Sequence, residues 1–303
     1  MTPQLMTQAN APLPDSVVTR FAPSPTGLLH LGHAHAALFA ACRAQAAGGR
    51  FLLRIEDIDR SRCRPEYEAA ITEDLRWLGV DWEESVLRQS DRFAVYRRAL
   101  DRLRESGLLY PCFCTRKEIQ REIARSGQAS HGPDGPLYPG TCRGLGEGAR
   151  RARVADGRPY ALRLDVGAAT AAAVAAAGPL TWIEHGRGLD GAAVPAEPRI
   201  HGDVVLARKD VPASYHLAVT LDDAEQGITL VTRGEDLASA THVHRLLQAL
   251  LGLPVPAWHH HDLIADAAGR RLAKRDDARA IRTLREQGLS PTEVRGLAGV
   301  PEA

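Results

Sequence analysis

Hydrophobic and polar positions follow two rhythms along this chain, and the changes of rhythm mark its elements. Val17 to Phe21 reads as a short strand, after which Pro23, Pro25 and Gly27 force a turn. Gly32 begins an alanine-rich helix that runs toward Ala47, and Arg50 to Ile55 alternates as a second strand. Helical patterns follow from Pro65 to Leu78, with Pro65 at N1 and Gly79 as the stop, and from Phe93 to Glu105 before Gly107. Strands alternating with helices predict an α/β fold with a parallel sheet. From Tyr110 to about Ile200 the texture changes. Gly, Pro and Arg cluster between Ser126 and Arg158, and short strand-like runs occupy Tyr160 to Val166 and Leu180 to His185, which reads as an insertion. The alanine-rich stretch from Gly167 to Gly178 reads as filler or a short helix. The sheet pattern resumes at Gly202 to Arg208 and Ile228 to Arg233, followed by a helix from Leu237 to Leu251.

The chain of 303 residues, 44% of them hydrophobic, is long enough for two modest domains or for one domain with an insertion. Its net charge of +1 supplies no global basic field, so any contact with RNA has to come from local patches. Met1 to Asp15 is polar and proline-bearing and does not read as a signal peptide, and no segment reads as membrane-spanning, so a cytoplasmic protein without membrane partners is expected. Five cysteines, with Cys112 and Cys114 too close for an easy disulfide, point to reduced thiols or metal ligation.

Three constellations carry candidate chemistry. His30 and His33 stand three positions apart at a helix N-terminus, where backbone N–H groups and the helix dipole favour anionic phosphate, so this end reads as an ATP site. Arg54-Ile55-Glu56-Asp57-Ile58-Asp59 delivers carboxylates at the carboxyl end of a strand, where open α/β sheets place ligand contacts. Cys112, Cys114 and Cys142 with Tyr138 offer three soft ligands and an oxygen, a set compatible with tetrahedral zinc, and His131 in the same loop is an alternative fourth ligand. The run His259-His260-His261 invites a metal reading as well, but side chains on a strand alternate between faces and cannot converge simply. His260 is expected near an adenosine or beneath the basic loop that follows.

The run Arg20-Phe21-Ala22-Pro23-Ser24-Pro25-Thr26-Gly27 followed by His30-Leu31-Gly32-His33 is similar to the signature of class I aminoacyl-tRNA synthetases of the glutamyl type. Glutaminyl enzymes usually carry Glu and Asn where this chain has Ser24 and Thr26, which favours L-glutamate. The resemblance implies that Arg20 and Ser24, with Phe21, Ala22 and Pro23, meet the amino acid, that Glu56 holds its ammonium, and that Tyr215 and Arg233 line the same pocket. It also implies that His30, Gly32 and His33 bind ATP together with Lys274, whose loop, Gly269 to Arg275, resembles the mobile KMSKS loop with Arg271 for the first lysine and Ala273 for the serine. The thiol set resembles a Cys-x-Cys…Tyr-x-x-x-Cys site for one structural zinc ion, and Mg2+ would accompany ATP.

The resemblance implies a Rossmann-type catalytic core in two halves, 15–110 and 201–251, after a tail over 1–14. It further implies an inserted zinc-bearing α+β subdomain over 111–200 and a lysine-loop and helical stem-contact region over 252–303, with no anticodon-binding domain. That organisation resembles the glutamyl-queuosine tRNA(Asp) synthetase subfamily, which implies a monomer acting on ATP, L-glutamate and the queuosine-bearing anticodon stem-loop of tRNA(Asp). A minimal glutamyl-tRNA synthetase and a nucleotide-binding regulator with a slow lysine loop are the alternatives.

Overall fold

The structure, a computed structural model, describes residues 11–83, 85–126, 131–133, 135–264 and 280–300. Strand β1 (Val18–Phe21), helix α1 (Leu31–Ala46) and strand β2 (Arg50–Ile55) form a parallel β-α-β unit, and α2 (Pro65–Trp77) and β3 (Leu87–Arg88) extend it. Helix α2 begins with Pro65, carries Glu66 and Glu68 in its first turn and Arg76 in its last, and is closed by Gly79 at φ 70°. After α3 (Phe93–Glu105), strand β4 (Leu109–Cys112) leaves this sheet for a second one. There follow α4 (Arg116–Ser126), the small hairpin β5 (His131–Gly132) with β6 (Gly135–Pro136), α5 (Glu147–Ala155) and β7 (Ala161–Leu164).

The alanine-rich stretch is a helix, α6 (Val166–Ala177). Asp165 caps it by accepting the Ala168 N–H, and alanine has the highest helix propensity of any residue. Strands β8 (Thr181–Glu184) and β9 (Ala192–Pro195) follow, then β10 (Val205–Ala207), α7 (Tyr215–Glu225), β11 (Leu230–Gly234), α8 (Ala240–Leu251) and β12 (Ala257–His261). Two short helices, α9 (Ile281–Glu286) and α10 (Pro291–Leu297), complete the described chain.

Strands β11, β12 and β8 run parallel, and β9 closes the edge as an antiparallel partner of β8. The Thr229 N–H donates to the Val18 carbonyl at 3.1 Å, which sets the start of β11 beside β1. The order across the main layer is therefore β3-β2-β1-β11-β12-β8-β9. Strands β4, β7 and β10 make a separate antiparallel sheet. The segment expected as an insertion is thus divided: β4 and β7 build the antiparallel sheet together with β10, which the sequence reading gave to the resumed parallel sheet, while β8 and β9 return to the main layer, where Trp258 pairs with Glu184. Helix α5 falls where the sequence shows only clustered Gly, Pro and Arg. None of its residues is buried, and Arg150 and Arg153 lie over the rings of Tyr110 and Phe113.

One apolar cluster joins α1, α2, α9 and α10 to β1 and β2, with Leu38, Leu53 and Ile71 at its centre; another joins α3, α6, α7 and α8 around Tyr96, Leu164 and Leu246. Between them, Asp223 on α7 ties the two halves of the chain together. Its carboxylate accepts from Arg20 Nε on β1 at 2.8 Å and from Arg54 Nη1 on β2 at 2.7 Å. Burial pushes this carboxyl up, but the two guanidinium groups outweigh it and hold Asp223 below the usual carboxylate range.

Asp223→Asn should leave two buried cations with one lost counter-charge and cost about 3–5 kcal/mol in denaturant unfolding at neutral pH. The Asp223 contribution is present above the ordinary carboxylate pKa and lost as pH falls through the depressed folded value, so the gap between wild type and variant should narrow below about pH 4. A separate constraint sits at Gly186, where an added Cβ would stand 2.2 Å from the His260 carbonyl oxygen. Gly186→Ala should lower the urea midpoint by the equivalent of about 1–3 kcal/mol, whereas Gly148→Ala, with open space around it, should not lower it.

Candidate active site

The turn after β1 delivers His30 to the start of α1 in an extended conformation, φ −122° and ψ 176°, as the N-cap. His30 Nδ1 accepts the Gly32 N–H at 3.2 Å, and His33 Nδ1 accepts the His30 N–H at 3.2 Å. The rings lie 3.8 Å apart between centroids. Because both Nδ1 atoms accept, each neutral ring carries its proton on Nε2, the donor form suited to a phosphate oxygen. The same helix end presents backbone N–H groups and a positive dipole. Ala280 forms an antiparallel bridge with His30, and the Ile281 N–H donates to the Leu29 carbonyl at 2.9 Å. The chain beyond β12 therefore returns to the histidine pair. Lys274, with Arg271 and Ala273, lies outside the described residues.

The amino-acid candidates gather at the carboxyl ends of β1, β2 and β11 and at the start of α7. Alternation along β1 sends Thr19 and Phe21 toward α1, where Thr19 Oγ1 donates to the Ala40 carbonyl, and sends Arg20 toward α7. Phe21 therefore supports the site from the core. Arg20 also donates from Nη1 to the Thr232 carbonyl on β11 at 3.1 Å. The Glu56 N–H bonds to the Pro23 carbonyl at 3.0 Å, which draws the ends of β1 and β2 together. Burial pushes the Glu56 carboxyl up, with Arg54 and Arg20 pulling it back. Burial likewise raises the Tyr215 phenol, while the charges of Arg233, Glu56 and Arg20 all act on it. Arg20, Glu56, Tyr215 and Arg233 thus share one electrostatic neighbourhood. Ser24 is exposed on the turn, its carbonyl accepting the Thr26 N–H, and Ala22 is half-buried beside the buried Pro23.

Arg233 is held by four side chains. It donates to Tyr215 Oη at 3.3 Å, to His260 Nε2 at 3.1 Å and to Thr241 Oγ1 at 2.6 Å, and it lies 3.3 Å from His244 Nδ1. His260 therefore packs against Arg233 and Thr241, and the basic loop beside which the sequence reading set it lies outside the described residues. The strand pleat places His260 there. His259 and His261 point to the opposite face, where their ring centroids lie 4.8 and 5.0 Å from Phe39 on α1. Burial holds both at about 4, so they are neutral near pH 7.

Sequence reading passed over Asp223, Glu184 and His244. The adjacent acids Asp222 and Asp223 on an otherwise largely apolar helix were a usable signal, because buried acids need partners. Asp222 has them in Gln89, Arg92 and Tyr96. Glu184 and His244 carried no local signal, since their partners are distant in sequence.

The thiol set forms a second site at the end of β4. Cys114 Sγ lies 3.4 Å from Cys142 Sγ, and the ligand atoms of Cys112, Cys114 and Cys142 all fall within 4.8 Å of one another. Tyr138 Oη stands 3.4 Å from Cys112 Sγ and 3.7 Å from Cys114 Sγ. A tetrahedron with Zn–S bonds of about 2.3 Å has edges of about 3.8 Å, so this donor set fits zinc in size and softness. Among the described residues the metal-sized group is these three thiols, and the tyrosine hydroxyl adjoins it. Burial pushes the Cys114 thiol up to about 12. Burial also opposes ionisation of Cys142, but the Phe113 N–H, at 3.4 Å, and the neighbouring Tyr138 and Cys114 groups outweigh it and hold that thiol below its ordinary value.

The sequence pattern of the family described as tRNA synthetases class I (E and Q), catalytic domain, matches residues 16–297. A protein named glutamyl-Q tRNA(Asp) synthetase from Rhodobacter capsulatus is 53% identical over 285 residues, covering 94% of this chain and all of its own. Another of that name, from Nocardia farcinica, is 45% identical over 92% of this chain and 82% of its own length. The crystal structure of glutamate-tRNA synthetase from Elizabethkingia anophelis matches with a TM-score of 0.70 at 30% identity over 86% of this chain, which spans about half, 53%, of that relative. These matches, found on a chain that sets a histidine pair at a helix start and buried arginines at the strand ends, establish that it belongs to the class I tRNA synthetases of the E and Q type and is an aminoacyl-tRNA synthetase-like ligase.

Proposed function

We propose that this protein activates L-glutamate with ATP and transfers it to the queuosine base at the wobble position of tRNA(Asp). The observation that carries the reading is the set of relatives named for that activity at 53% and 45% identity over nearly the whole chain, and the buried arginines at the strand ends support it. Arg233 is a buried cation whose hydrogen-bond partners, among the described residues, include no acid. It is therefore the stronger anchor for a substrate carboxylate. Arg20, already shared with Asp223, retains less uncompensated charge and sets the second contact, with Ser24 at the turn. The Glu56 carboxylate faces the substrate ammonium.

In this arrangement the α-carboxylate of glutamate attacks the α-phosphorus of ATP, and pyrophosphate leaves. His30 and His33 donate from Nε2 to phosphate oxygens, and Lys274 compensates charge on the departing pyrophosphate. No side-chain nucleophile is required, because positioning and charge stabilisation supply the catalysis. Mg2+ bound with ATP would offset triphosphate charge. A hydroxyl of the queuosine cyclopentene ring then attacks the glutamyl carbonyl, and AMP leaves. Zinc held by Cys112, Cys114, Cys142 and Tyr138 would brace the antiparallel sheet and has no part in the chemistry.

Labelled glutamate should pass to queuosine-bearing tRNA(Asp), and to its isolated anticodon stem-loop, but not to queuosine-free tRNA(Asp) or to tRNA(Glu). Periodate pretreatment, which destroys the queuosine cis-diol, should abolish transfer. Binding should weaken steadily with salt as phosphate contacts release counterions. Glutamate found on the terminal adenosine of tRNA(Glu) would instead establish the minimal synthetase, a reading that draws on the glutamate--tRNA ligase of Aquifex aeolicus at 39% identity.

Elemental analysis of the purified protein should find close to one zinc per chain. Cys114→Ser should lose it, and hydrogen exchange should then rise in the segment from Cys112 to Cys142 before the main sheet is affected. Metal-free protein with unchanged protection there would end the zinc assignment.

A further inference from the structure

Arg233 is the centre of a line of hydrogen bonds that crosses the main sheet, and its geometry dictates where every ring proton sits. Guanidinium groups only donate. His260 Nε2, 3.1 Å from Arg233 Nε, must therefore be the acceptor, so the ring proton is on Nδ1 and is donated to Glu184 Oε2 at 2.6 Å. Glu184 grips the same residue twice, because its Oε1 also accepts the His260 backbone N–H at 3.0 Å, together with that of Gly186 at 2.9 Å. On the other side His244 Nδ1 faces Arg233 Nη1 at 3.3 Å and must accept, which leaves Nε2–H to donate to His216 Nδ1 at 3.2 Å.

The line is dry. Glu184 and His260 are each 1% exposed and Arg233 is 6% exposed. A buried carboxylate with four donors, the Trp182 indole N–H at 3.4 Å from Oε2 being the fourth, is costly to leave unpartnered and strongly directional once satisfied. Glu184 is held at about 2: burial opposes its ionisation, and the His260 and Gly186 donors outweigh that opposition. Arg233 needs acceptors that do not neutralise it, and an imidazole in the Nδ1–H form is such an acceptor. An acid in direct contact would compete with the substrate carboxylate, whereas an acid one ring away orients the guanidinium without capping it.

We propose that Glu184 and His260 are positioning residues for the amino-acid substrate: the Glu184 carboxylate selects the Nδ1–H tautomer of His260, whose Nε2 lone pair fixes the Arg233 guanidinium toward the substrate carboxylate. The proposal rests on the reading of Arg233 as a glutamate anchor. Neither positioning residue touches substrate.

Glu184→Gln is the test. The amide is the same size, but with its oxygen kept on the two backbone N–H groups its NH2 faces His260 Nδ1. That nitrogen must then accept, the ring proton moves to Nε2, and it opposes the Arg233 Nε–H. In glutamate-dependent ATP–pyrophosphate exchange the KM for glutamate should rise about 10- to 100-fold, the scale of a misplaced positioning group, with the KM for ATP unchanged. Long-range 1H–15N spectra of 15N-histidine-labelled protein, with His260 assigned through His260→Asn, should show Nδ1–H in the wild type and Nε2–H in the variant.

An unchanged tautomer, or a changed tautomer with an unchanged glutamate KM, overturns the proposal. If Glu184→Gln fails to fold, the wild-type spectrum still decides, because a cationic or Nε2–H ring at His260 is incompatible with it. Arg233→Lys separates the two levels. An unaffected glutamate KM there removes Arg233 from the pocket, whereas a raised KM with an inert Glu184→Gln leaves the pocket and overturns the positioning role alone.

Discussion

Two buried guanidinium groups share one carboxylate at the centre of this molecule, and the placement of the pocket depends on that sharing. Arg20 comes from β1, Arg54 from β2 and Asp223 from α7, so the ion triad joins segments about 170 and 200 residues apart in sequence. Removing charges from water is costly, and here the cost is offset by short charge-assisted bonds from both arginines. The triad also fixes the distance between the β1 and β2 strand ends and the last turn of α7. Glu56, Tyr215 and Arg233 inherit their positions from that spacing.

Beside this acid-anchored centre, Arg233 stands out as a cation surrounded by neutral acceptors. Two arginines that look alike in a sequence thus differ in their surroundings: Arg20 is partly compensated by Asp223, whereas Arg233 bonds to neutral groups. The histidine pair at the start of α1 is arranged by local bonds, since backbone donors occupy both Nδ1 atoms and place the proton of each neutral ring on Nε2.

The thiol site follows a different principle. Its ligands are drawn together by a backbone N–H to Cys142 Sγ, by the Tyr138 hydroxyl, which accepts the Cys142 N–H at 2.8 Å, and by Arg163 stacked 3.9 Å over the Tyr138 ring. The cluster lies at the end of β4, the strand where the chain leaves the parallel layer, so a metal there would stabilise the antiparallel sheet at its junction with the catalytic half. Among the described residues no helix is long and apolar enough to cross a membrane.

Local chemistry decided what could be read in advance. The β1 turn, the Pro65 start of α2, the glycine stops and the strand periods of β2, β11 and β12 are short-range signals, because the turn residues and pleat that produce them act within a few positions. Motif residues whose neighbours lie close in sequence, such as His30 with His33 and Cys112 with Cys114, were legible for the same reason. Helix α5 was not, because the residues it turns toward its neighbours are Arg150 and Arg153, which lie over aromatic rings yet read as polar in a sequence. The return of β8 to the main layer was not, because a strand's own pattern does not name its partner. Glu184 with His260, and Asp223 with Arg20 and Arg54, were settled only by the fold: a buried charge is stable only beside its counter-charge, and which charges become neighbours is determined when the sheet closes.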